Sequence, residues 1–305
     1  MAPIYAPTLD VLEREYMVHK SLDAENRDAV LLVIASRVRA AVTTGLIGFS
    51  AQLFEALPNL EVVACFGDGG DSIDLDAARR HGVVVSNTPQ SIAEPVADLA
   101  LGLLIAVMRR ICECDRFTRA QKWLDGSPPL GTGIGGKRCG IVGLGKVGAA
   151  IATRVAALGM KVCYHGPREK RGVRYDYYAD LEAMADACDC LVVTCAETPN
   201  TRKLIDSRIL AALGTGGYLV NVARGGIVDE CALIAALREN KIAGAGLDVF
   251  ADEPRVPREL LNMDNVVLVP HIGSYTREVR EARSATLLAN LRAHFAGKPL
   301  ITPMT

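Results

Sequence analysis

The sequence has 305 residues, enough for two domains of ordinary size, with 50% hydrophobic and 23% charged residues. Lys and Arg number 34 against 35 Asp and Glu, a formal net charge of -1. That balance removes the global electrostatic reason for nucleic-acid binding and suits a small uncharged or compact anionic ligand. Nine cysteines lie between Cys65 and Cys231 with no CxxC pair and no histidine cluster beside them, so neither a disulfide framework nor a metal site is expected and a reducing, cytoplasmic setting is. The most apolar stretch, Val96 to Met108, contains Asp98 and is too short to span a bilayer. The N-terminus has no basic region followed by a long apolar run, so no membrane partner and no secretory signal are expected.

Along the chain, Leu9, Leu12 and Tyr16 mark one face of an early helix, and "DAVLLVIAS" (28–36) and "RAAVTTG" (39–45) contain strand-like segments. "SAQLFEALPNL" reads as a helix ending near Pro58, "EVVACFG" as a strand, "DLDAARRHG" as a short helix closed by Gly82, and "VVVSNTP" as a strand entering a turn. Residues 92–110, "IAEPVADLALGLLIAVMRR", predict a long helix too hydrophobic all round to lie on a surface. "DGSPPLGTGIGG" then supplies turns. From Lys137 to about Ile272, strands and helices alternate: "KRCGIV", "KVGAAIATRVAALG", "MKVCYHG", "LEAMADACD", "CLVVTCA", "SRILAALG", "GYLVNVA", "DECALIAALRENK", "GAGLDVF" and "NVVLVPHIG". Continuous apolar strands of this kind suit a parallel sheet covered on both faces. A last helix, "REVREARSATLLANLRAHFAG", leads to "KPLITPMT".

"GLGKVG" sets Gly143, Gly145 and Gly148 in G-x-G-x-x-G register between an apolar strand and an alanine-rich helix. The first glycine permits a tight turn, the second lets backbone approach a pyrophosphate, and the third permits close helix–strand packing. A ligand-free glycine turn is the plain alternative. An NAD site usually ends the next strand with an acid on the ribose hydroxyls. Here the sequence reads Tyr164-His165-Gly166-Pro167-Arg168-Glu169-Lys170-Arg171, with three cations instead, suited to a 2′-phosphate and favouring NADPH over NADH. A solvated basic loop is the bland reading of the same run.

Of five histidines, His19 and His294 are expected at the surface, His81 at a helix end and His165 beside the nucleotide loop. His271 differs, because it ends a buried strand where open α/β sheets place their ligands. Two other strand ends carry polar groups: Arg224 after "LVNVA", and Asp248 with Glu253 in "GAGLDVFADEP". An arginine offers a bidentate fork to a carboxylate, and a carboxylate beside imidazole fixes its tautomer and keeps a proton available.

The quoted segments "GIVGLGKVG", "LVNVARGGIVDE", "GAGLDVFADEP" and "VVLVPHIGS", with "IDLDAARRHGVVVSNTP", "VADLALGLLIAVMRRICECD" and "AHFAGKPLITP", resemble the D-isomer-specific 2-hydroxyacid dehydrogenases over nearly the whole chain. The resemblance is strongest to the plant-type hydroxypyruvate and hydroxyphenylpyruvate reductases. It implies an α/β fold with a Rossmann-type NADP-binding domain (96–275) and a smaller flavodoxin-like substrate domain (1–95, with 276–305 crossing back to it), a cleft between them, and a homodimer formed through the nucleotide domains.

By the same resemblance His271 is the acid/base, Glu253 its carboxylate partner and Arg224 the substrate anchor. Gly143, Leu144, Gly145, Lys146, Val147 and Gly148 form the pyrophosphate loop. Cys195, Val222, Ala223, Asp248, His271 and Gly273 line the cofactor, and Gly166 stands where the NAD-selective aspartate would be, near Arg168, Lys170 and Arg171. Asp68 and Gly69 occupy the places of a Val/Gly pair whose amides meet the substrate carboxylate, a departure that bears on substrate preference. The implied reaction is NADPH-dependent reduction of hydroxypyruvate, glyoxylate or 4-hydroxyphenylpyruvate to the D-2-hydroxy acid, with NADH as a secondary cofactor. Two alternatives stay open: oxidation of phosphoglycerate, formate or phosphite on the same fold, and a nucleotide-sensing protein–protein adaptor.

Overall fold

Val, Ile, Leu and Cys dominate the central strands of the second half of the chain, and these central strands are buried almost throughout, as a parallel sheet covered on both faces requires. The computed structural model describes residues 4–20, 31, 33–45, 47–67, 72–89 and 92–305. The chain divides into two units, residues 92–275 and residues 1–91 together with 276–305.

In residues 92–275, seven parallel strands are numbered in chain order: β4 (Arg138–Val142), β5 (Lys161–His165), β6 (Asp176–Tyr178), β7 (Cys190–Val193), β8 (Tyr218–Asn221), β9 (Gly244–Leu247) and β10 (Val266–Leu268). They lie in the order β10-β9-β8-β7-β4-β5-β6. Counted from β4, the first six follow the 3-2-1-4-5-6 arrangement of dinucleotide-binding folds, and β10 extends it by one. The order reverses between β4 and β7. At such a reversal the connections leave to opposite faces and open a crevice at the strands' carboxyl ends.

The apolar helix Ala93–Met108 buries Ala97, Ala100, Leu103, Leu104 and Met108 with Ile141, Val192 and Val220 of the sheet. Its acids face the other way. Arg154, on the helix Lys146–Ala157 that follows β4, meets Glu94 at 2.6 Å and Asp98 at 2.8 Å. Asp98 therefore interrupts the apolar run without being buried in it. The helices Ser207–Leu213 and Glu230–Arg238 begin at Asp206 and Asp229, whose carboxylates accept from the first-turn amides.

The other unit carries a parallel sheet ordered β1 (Ala40–Thr44), β2 (Val62–Phe66), β3 (Val84–Ser86). On one face Phe54, Leu57, Ala77 and Ala78 pack with Val63 and Val85; on the other, the helix Arg277–Phe295 brings Leu287, Leu288 and Leu291 against Val62, Ala64 and Phe66. Asn290 of that helix is fully buried and uses its whole amide. Its oxygen accepts from the Ile301 and Thr302 amides at 2.9 and 3.1 Å, and its nitrogen donates to the Thr286 carbonyl at 3.0 Å and Thr302 Oγ1 at 2.8 Å. Thr302 Oγ1 passes a bond on to the Asn87 carbonyl at 2.6 Å.

Some elements depart from what the sequence predicts. Residues 28–36 were expected to contain strand. Of these, Leu31, Val33 and Ile34 are helical and run into a tight turn at Ala35–Arg37, while 28–30 and 32 lie outside the described residues. Leu31 and Ala35, four apart, both touch the Phe54 core, so helical packing overrode the strand propensity of a short apolar run. The strand β6 and a separate helix Ile111–Arg119, set off by Arg110 at φ 54°, were not anticipated.

Candidate active site

The glycine loop lies where the sheet order reverses. Gly143 ends β4 at φ +98°, and a Cβ there would fall 2.7 Å from the Cys195 backbone, so β4 and the end of β7 meet closely only because it is glycine. A Cβ at Gly148 would sit 2.3 Å from the Gly143 carbonyl oxygen. Beside Gly145 the space is open, and the helix that starts there has no side-chain cap, leaving its first amides for an anionic ligand. Leu144 is buried, Val147 is half-buried and Lys146 is exposed. Burial pushes the Cys195 thiol up to about 11, which makes it an inert wall rather than a nucleophile. A dinucleotide's pyrophosphate fits this cradle.

β5 is followed by Gly166 rather than by an acid. Gly166 has open space where a side chain would stand, and Arg168 and Arg171 are exposed and hold no ion pair among the described residues. Lys170 is placed differently from its neighbours. Its ammonium donates to the carbonyl of Leu144 in the glycine loop, and its amide donates to the Tyr164 hydroxyl at 2.8 Å. His165, expected beside the nucleotide loop, uses its Nδ1–H on the Tyr178 carbonyl at 3.0 Å. His294, expected at the surface, is half-buried and bonded to Glu61 at 3.1 Å.

Two of the strand-end groups meet, and the charge of the third, Arg224, reaches Glu253. His271 Nδ1 and Glu253 Oε2 are 2.7 Å apart, and Glu253 Oε1 accepts from the Phe250 amide at 3.1 Å. Burial alone would raise the Glu253 carboxyl. The hydrogen bonds from His271 and Phe250, with the charges of His271 and Arg224, carry it below the usual carboxylate range. An ionised Glu253 accepts only, so Nδ1 carries a hydrogen and Nε2 is the nitrogen left for a ligand. His271 sits at φ +53°, and the turn after it is held by Asp248. That carboxylate accepts from the Ile272 amide at 2.6 Å and the Gly273 amide at 2.9 Å. Burial, the larger influence, holds Asp248 above the usual range although both amides pull it down.

Arg224 is exposed, with one N–H on the Ala223 carbonyl at 2.7 Å. Its turn is shaped by Asn221, the last residue of β8. The Asn221 side chain accepts from the Ala223 amide and donates to the Arg224 carbonyl, each at 3.0 Å. Gly225 then lets this turn press on the loop that carries Glu253, since a Cβ there would lie 2.0 Å from the Phe250 carbonyl. Glu230 also supports that loop, accepting from the Ala251 amide at 3.2 Å. A buried amide at the end of an otherwise apolar strand was the available signal for Asn221, because such a group needs specific partners. Val222 and Ala223 are buried beside it. Asp68 and Gly69 lie outside the described residues.

Sheet order and glycine loop define a Rossmann-type dinucleotide-binding protein. The family model for the D-isomer specific 2-hydroxyacid dehydrogenase NAD-binding domain matches residues 101–273. Glyoxylate/hydroxypyruvate reductase A of Arabidopsis thaliana is 43% identical, the match covering 100% of this chain and 97% of that protein. Hydroxyphenylpyruvate reductase of Plectranthus scutellarioides is 41% identical over 100% and 97%. Among solved structures, the NADPH-dependent glyoxylate/hydroxypyruvate reductase of Sinorhizobium meliloti, in complex with NADP and malonate, superposes with a TM-score of 0.84 at 37% identity, covering 99% of this chain and 94% of that one. The chain belongs to the D-isomer specific 2-hydroxyacid dehydrogenase family.

Proposed function

We propose that this protein reduces a small 2-oxo acid, of the hydroxypyruvate, glyoxylate or 4-hydroxyphenylpyruvate kind, to the D-2-hydroxy acid with NADPH, and accepts NADH less well. The observation that carries the reading is the 2.7 Å bond from His271 Nδ1 to an ionised Glu253, beside an exposed arginine on the same sheet end. When bound, the reduced nicotinamide supplies the hydride. Arg224 holds the substrate carboxylate with its remaining guanidinium donors. His271, kept in one tautomer by Glu253, gives a proton from Nε2 to the carbonyl oxygen as negative charge develops there. Gly143, Leu144, Gly145, Lys146, Val147 and Gly148 hold the pyrophosphate, and Arg168 and Arg171 meet the 2′-phosphate.

In this reading residues 92–275 serve the cofactor, while residues 1–91 and 276–305, including Asp68 and Gly69, serve the substrate. Exposed Trp123, Leu124 and Leu130, at 71, 85 and 95% exposure, support a homodimer built on the cofactor unit, since a monomer would leave that apolar surface in water. A cytoplasmic location accords with nine free thiols and with the lack, among the described residues, of a helix long and apolar enough to cross a membrane.

NADPH oxidation over a panel of hydroxypyruvate, glyoxylate, 4-hydroxyphenylpyruvate and phenylpyruvate, repeated with NADH, tests the proposal. Turnover of at least one acid, with NADPH the better cofactor, is expected. His271→Ala should lower kcat by about 10²–10⁴-fold and leave NADPH binding intact. No reduction of any acid, or near-normal turnover by the variant, overturns the assignment.

A further inference from the structure

The strand β6 adds only three residues to the edge of the sheet, yet it brings Tyr177 level with Tyr164 of β5 in the parallel register. Their rings lie 5.3 Å apart and their hydroxyls act on the same segment. Tyr177 donates to the Gly166 carbonyl at 3.0 Å, and Tyr164 accepts from the Lys170 amide at 2.8 Å. The Lys170 ammonium in turn reaches the Leu144 carbonyl of the glycine loop. Residues 166–171 are therefore tied at both ends and strapped to the pyrophosphate cradle. Arg168 and Arg171 are left exposed between and beside those ties.

A six-residue segment with three cations against one acid, a glycine and no regular structure would otherwise sample many conformations. Each conformation lost on binding a ligand weakens the binding, and holding the loop beforehand removes that loss. We infer that Tyr177, assisted by Tyr164, is a positioning residue for cofactor choice. It touches no reacting atom, but it holds the basic loop in the arrangement that receives a ribose 2′-phosphate. Lys170 belongs to the same brace, its charge committed to the backbone of the glycine loop, so the phosphate falls to Arg168 and Arg171. The inference rests on the NADPH reading proposed above.

Tyr177→Phe keeps the ring against Tyr164 and removes only the bond to Gly166. Dissociation constants for NADPH and NADH, read by fluorescence titration of the full chain, test the assignment alongside KM and kcat for both cofactors. The NADPH dissociation constant and KM should rise about three- to tenfold, those for NADH less than twofold, with kcat at saturating NADPH close to wild type. Tyr164→Phe, which removes the acceptor for the Lys170 amide, should shift the same ratio in the same direction. Equal weakening of both cofactors means a merely structural role, and no change in either variant means that the loop is not held by these bonds; both overturn the inference. The wild-type titration separates the underlying reading, because NADH binding as tightly as NADPH in the unaltered protein would defeat the NADPH proposal and this inference with it.

Discussion

His271 is held at φ +53°, a left-handed conformation that costs a non-glycine residue about 1–2 kcal/mol. Two charge-assisted bonds from the next two amides to Asp248 offset that cost, and the imidazole is thereby turned so that Nδ1 meets Glu253. The sign of the pH effect follows from Glu253. Its carboxyl is held below the ordinary value of 4.5, so it stabilises the fold above that value and the contribution is lost as pH falls through the lower, folded value. Glu253→Gln should lower stability at neutral pH by about 1 kcal/mol after solvent screening, and thermal melts should show the difference from wild type shrinking below pH 4.5. Turnover at neutral pH should fall about tenfold or more, since the tautomer of His271 is no longer fixed. A melting difference that grows toward acid would contradict this account.

Strands and loops place these side chains. The end of β8 and the loop after β9 touch through Gly225 and Phe250, so Arg224 and Glu253 are positioned against one another by backbone contact. Gly225→Ala puts a methyl where the Phe250 carbonyl lies. It should raise the substrate KM and lower kcat/KM about tenfold, with near-normal NADPH binding and a stability loss of about 1–3 kcal/mol. Unchanged kinetics in a folded variant would show that the contact does not couple the two loops. The strand ends carrying Arg224, Glu253 and His271 were legible because buried parallel strands read as continuous apolar runs and polar groups stand out just beyond them. What the sequence could not supply was adjacency. Glu230 works through a backbone amide of another segment, whereas Asn221 acts within the turn that directly follows it, and β6 is three residues whose "YDYY" run signals strand only weakly beside the preceding glycine and basic residues. Residues 28–36 failed for the opposite reason: a short apolar run fits helix or strand, and packing chose.

At the scale of the molecule, the unit built on β1, β2 and β3 is closed by residues from the far end of the sequence, and Asn290 is the fastening. Asn290→Ala removes acceptors for two amides and a donor to Thr302, which should cost about 2–4 kcal/mol. Calorimetry should record a lower melting transition, and hydrogen exchange should quicken at residues 300–304. An unaltered melt would show that water replaces the side chain.

This fastening also sets an order of events during synthesis. Residues 92–275 are contiguous, so their sheet can assemble as soon as they leave the ribosome. The other unit has to wait, because the bond from Thr302 to Asn87 spans 215 residues of chain. Until residues 276–304 emerge, the face of β2 that carries Val62, Ala64 and Phe66 lacks its covering helix. Until then that nascent sheet exposes apolar surface of the kind chaperones bind.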